Sequence, residues 1–97
     1  MRISMQIPTF EEFKAQSLAN GYDEVLVRQW SANQELALHD HPFAVTALVI
    51  EGEMWLTKEG QTQHLLPGDR FDVGLRVKHA ERYGPQGTTF WAARKHG

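Results

Sequence analysis

The 97-residue chain is 41% hydrophobic and 23% charged, with a formal charge of −2 and no cysteine. That length suits one domain around one core, and the charge offers no broad basic field to nucleic acid. The lack of cysteine excludes disulfides, thiolate metal sites and a cysteine nucleophile, and it fits a reducing cytoplasm.

Residues 1–9 lack a long apolar core, so no signal peptide is expected. No apolar run approaches the roughly 20 residues that span a bilayer, so no membrane partner is expected. Residues 9–20 read as a helix. Thr9 followed by Glu12 fits a capping box, Phe10, Phe13 and Leu18 form a narrow apolar stripe, and Asn20-Gly21 supplies a stop. Such a stripe packs on the domain rather than binding a ligand.

From residue 22 the pattern turns to short extended runs. Residues 22–30 form the first, and Ser31-Ala32-Asn33-Gln34 turns it, with Asn33 tolerating left-handed geometry. Residues 35–41 follow, then the almost wholly apolar run 43–50 and a turn at Glu51-Gly52. Residues 53–57 and 61–66 flank Lys58-Glu59-Gly60, a hairpin signal. Pro67-Gly68-Asp69 turns into residues 70–73, a connection at 74–78 leads to 79–83, and Gly84-Pro85-Gln86-Gly87 turns into 88–94. About eight short strands separated by turns imply an all-β sandwich or barrel.

The chemistry concentrates in His39-Asp40-His41 and His79. Side chains two apart on a strand share a face, so His39 and His41 turn one way and Leu36, Leu38 and Asp40 the other. Imidazoles so placed hold a transition metal. Glu81 and Tyr83 alternate onto the face of His79 and are the candidates for substrate contact. Asp40, His64 and His96 read as surface residues, and no Ser-His-Asp arrangement stands out.

His39-x-His41, Gly52, Leu66-Pro67-Gly68-Asp69 and His79 together resemble the two motifs of the cupins over residues 22–94. His39, His41 and Gly52 match the first motif, with Asn33 at its leading glycine and Val45 at its glutamate. Gly68 and His79 match the second, with Gly74, Arg76 and Tyr83 replacing its proline, second glycine and asparagine. The resemblance implies a single jelly-roll barrel at residues 22–97, with residues 1–21 as a helical segment packed on it. It implies that His39, His41 and His79 hold a divalent transition metal: iron, zinc, nickel or manganese. Val45 would leave the carboxylate's position open and make that wall of the substrate site apolar.

The function expected is a metal-binding small cupin acting on a small organic molecule, in one form an oxygen-dependent enzyme. The alternative is a non-catalytic module that binds or senses a small molecule. In the family's hairpin pattern Met54 and Leu56 face inward, and Trp55 joins Leu48 and Ile50 on an outer apolar surface. Either the helix or a second chain covers that surface, and a homodimer is the expectation.

Overall fold

The structure is a computed structural model that describes residues 7–96. Residues 1–6, most of the stretch read for a signal peptide, and residue 97 lie outside the described residues. The elements in chain order are α1 (Phe10–Ala19), β1 (Glu24–Trp30), β2 (Glu35–His39), β3 (Phe43–Lys58), β4 (Gln61–Leu65), β5 (Arg70–Val73) and β6 (His79–His96).

Helix α1 starts where the capping box expects it. The Thr9 side chain accepts from the Glu12 N–H, and the Glu12 carboxylate accepts from the Thr9 N–H at 2.8 Å. Its buried face differs from the expected stripe. Phe13 and Ser17, one helical turn apart, are buried, whereas Leu18 is 44% exposed. Phe13 meets Leu48 and Ala93, and Phe10 sets its edge on Trp91, with centroids 5.3 Å apart.

The six strands include two long ones, β3 and β6, each spanning two of the short runs read from the sequence. Glu51-Gly52 and Gly84-Pro85-Gln86-Gly87 are therefore bends inside strands, not reversals of the chain. The two bends oppose each other. Gly52 pairs with Thr88, and the register slips on both sides of that pair. The approach is too close for a side chain: a Cβ on Gly52 would lie 2.0 Å from the carbonyl oxygen of Gly87, and Gly52 has φ 78°.

Each long strand thus changes partners at its bend within one six-stranded sheet. Beyond the bend β6 runs between β1 and the first half of β3, whose far side pairs β5. Before the bend β6 lies between β2 and the second half of β3, which pairs β4 through the Glu59-Gly60 turn. The sheet does not close into a continuous barrel: β1 and β4 end the path of strands. Ala47, Val49, Met54, Leu56, Tyr83 and Phe90 fill the interior. Met54 and Leu56 face inward as expected, because the bulge at Gly52 resets the alternation of β3.

The outer apolar surface expected around Trp55 is divided. Leu48 and Ile50 belong with α1, while Trp55 stacks on His64 at 4.7 Å and carries the Arg82 guanidinium 4.0 Å from its ring centroid.

Candidate metal centre

Strand β2 ends at His39, two residues short of the expected run, and its pairing with β6 slips between Leu36 and His39. The slip changes which face each side chain takes. Leu36 lines the interior cavity beside His39 and His41, against the regular alternation read from the sequence, and Leu38 is 64% exposed. Asp40 is half-buried and faces Arg76 at 3.3 Å.

His79 opens β6 directly opposite His39. The loop before it is tied to the first histidine pair, since the Arg76 N–H donates to the His41 carbonyl at 3.0 Å. Arg76 has φ 63° and Asn33 φ 58°, so both residues standing in for motif glycines keep a left-handed backbone.

The three histidines converge. Each offers one ring nitrogen, and these nitrogens all lie within 4.8 Å of one another. The Nδ1 of His39 lies 2.6 Å from the Ala37 carbonyl and that of His79 lies 2.9 Å from the Val77 carbonyl. A carbonyl only accepts, so both Nδ1 atoms donate, and in the neutral ring each Nε2 keeps a free lone pair. This is the tautomer that a metal requires, fixed by backbone. His41 stacks flat on Phe43, with centroids 4.8 Å apart. Burial, then the neighbouring His39, His79 and Arg94, push the His41 pKa below the usual imidazole range, which favours the neutral, ligating form. The donor set and its tautomers fit a divalent transition metal.

Glu81 stands closest to this group. Its Oε2 lies 3.6 Å from the His39 Nε2 and 3.5 Å from the His79 Nε2, and the Tyr83 hydroxyl donates to its Oε1. The expected open position therefore has a carboxylate beside it, supplied by β6 where the cupin motif would supply it from the β3 position of Val45. Val45 does line the cavity. Tyr83 does not reach the cavity wall: it is fully buried behind Glu81, stacked on Trp30 at 5.1 Å. Burial, the Glu81 charge and their hydrogen bond push the Tyr83 pKa far up, so the phenol remains a donor.

The cavity measures about 90 Å³, below the ~300–1,000 Å³ of pockets for drug-sized ligands. Arg28, Trp30 and Arg94 also line it, and sequence reasoning did not single them out. The alternation Arg28, Trp30 on β1 was the available signal, but it says nothing of which face is inner. His64 and His96 lie on the surface, the first bound to Glu53 at 2.8 Å and the second to Glu24 at 2.7 Å.

The chain, with its long bent strands and three converging histidines, has the fold of a small cupin. Its similar structures include an RmlC-like cupin from Shewanella frigidimarina, at TM-score 0.69 and 22% identity over 79% of this chain and 68% of that one. A conserved protein with a double-stranded β-helix domain from Klebsiella pneumoniae gives TM-score 0.66 and 29% identity over 79% of this chain and 70% of that one. The DMSP lyase DddQ from Ruegeria pomeroyi gives TM-score 0.67 and 22% identity over 73% of this chain, which spans 36% of the lyase. No protein-family model and no curated protein matches the chain.

Proposed function

We propose that this protein binds a divalent transition metal through His39, His41 and His79 and acts on a small organic molecule in the adjoining cavity. The observation that carries this reading is the convergence of three ring nitrogens, with two of the rings oriented by Nδ1–H bonds to backbone carbonyls. Iron, zinc, nickel and manganese all suit such donors. A bound metal would supply Lewis acidity or, for iron, oxygen chemistry.

The chain's own groups set the rest. Glu81, held by Tyr83 on one oxygen, turns the other toward the histidines, where it completes a ligand set or accepts a proton from substrate. Leu36, Phe43, Val45 and Phe71 keep that wall of the cavity apolar. The similarity to a DMSP lyase supports an enzymatic reading, and a non-catalytic binding module is the alternative. The proposal includes a homodimer and a cytoplasmic location, the latter in keeping with a chain free of cysteine.

Metal analysis of protein purified without chelator should return one ion per chain, and His79→Ala should lower that occupancy at least tenfold. Full occupancy in His79→Ala would overturn the assignment. Anaerobic iron loading and an oxygen-uptake screen then separate the two classes. Substrate-stimulated uptake identifies an oxygen-dependent enzyme, and tight ligand binding without turnover identifies the module.

A further inference from the structure

Arg28 is the one charged side chain on the cavity wall that has no ion pair among the described residues. The other guanidinium there, Arg94, has Glu24 at 3.9 Å, and Glu81 lies against the histidines. The Arg28 guanidinium sits 4.9 Å from the centroid of the Trp30 ring. The indole Nε1 of Trp30 is buried and, among the described residues, has no hydrogen-bond partner. A guanidinium on the cavity wall that rests on an aromatic ring and has no carboxylate partner calls for an anion.

We propose that the cavity takes a small organic carboxylate, its anionic head held by Arg28 and its body against Phe43, Val45 and Phe71. The inference deepens the reading of this cavity as the ligand site and does not depend on the metal. A guanidinium offers paired N–H donors that match the two oxygens of a carboxylate. The apolar wall selects an organic anion over an inorganic one, and a cavity of about 90 Å³ suits a small one. Charge points the same way. Glu24 partners Arg94 and Glu81 faces the histidines, so Arg28 is the cation of the lining left for a ligand.

The test uses NMR, because the chain has three tryptophans and so three indole N–H signals. Zinc-loaded and chelator-treated protein are each titrated with propionate, with its neutral isostere propionamide, and with inorganic phosphate. Trp30→Phe assigns the Trp30 signal, which reports on an anion at Arg28 because the guanidinium lies on that ring. Propionate should shift that signal in both forms of the protein, and propionamide should bind at least tenfold more weakly. Arg28→Gln should weaken propionate about tenfold or more, with Arg28→Lys in between. Propionamide or phosphate binding as well as propionate would overturn the proposal, as would unchanged affinity in a folded Arg28→Gln or Arg28→Lys protein. Propionate binding in a protein that takes up no zinc would refute the metal centre and sustain the carboxylate site. One zinc per chain with no preference for propionate would do the reverse.

Discussion

Val45 occupies the position at which the cupin motif places a carboxylate, and it lines the cavity with the histidines. It sits on β3 opposite Arg94 on one side and Val73 on the other. Glu81 reaches the same histidines from β6, so a carboxylate is present although its motif position is vacant. Val45→Glu therefore adds a second carboxylate to the site. Without metal the substitution should lower the melting temperature, since it sets a half-buried second carboxylate in the cavity that already holds Glu81. Manganese should restore it, because a hard divalent ion gains an oxygen ligand. A melting point that falls and is not recovered by manganese would place Val45 outside the coordination sphere.

At the scale of elements, the bends of β3 and β6 decide how the site is built. Gly52 faces the Gly87 carbonyl so closely that any Cβ must displace backbone. Gly52→Ala should then destabilise the fold by about 2–4 kcal/mol, from left-handed strain together with overpacking. For a chain of this size that is a fall in melting temperature of roughly 10 °C or more. Gly60 has nearly the same φ, 77°, but nothing within 4 Å of its Cβ position. Gly60→Ala should cost only about 1 kcal/mol. Equal losses in the two variants, measured by thermal denaturation, would show that strain rather than close approach governs the bend. The sequence marked both bends through Gly52 and Gly87 but offered no means of telling a bend from a reversal. Local glycine geometry serves both, and only the partner strand distinguishes them.

At the scale of the whole molecule, one charged surface remains to be explained. Glu53, His64, Trp55 and Arg82 form a ladder across β3, β4 and β6, with Trp55 half-buried between His64 and Arg82. The helix covers Leu48 and Ile50, so the homodimer expected from one large apolar surface now rests on Trp55 and on the exposed strand edges. Trp55→Glu should yield monomer by multi-angle light scattering if this face is the interface. Wild-type protein that stays monomeric at high concentration would remove the dimer.

His39 and His41 were legible as a pair from their spacing, and His79 joined them only through the resemblance to the cupin motifs, whereas the hairpin at Glu59-Gly60 and the capping box at Thr9 and Glu12 were legible because their geometry is local. Tertiary structure decided what depends on pairing between distant segments. The slip between Leu36 and His39 turned Leu36 inward, the stacking of Tyr83 on Trp30 drew the phenol away from the cavity, and the convergence of β1 with β6 set Arg28 and Trp30 beside the histidines. Side-chain facing within one regular strand follows from the backbone period, whereas a bulge or a shared cavity exists only once another strand fixes the register.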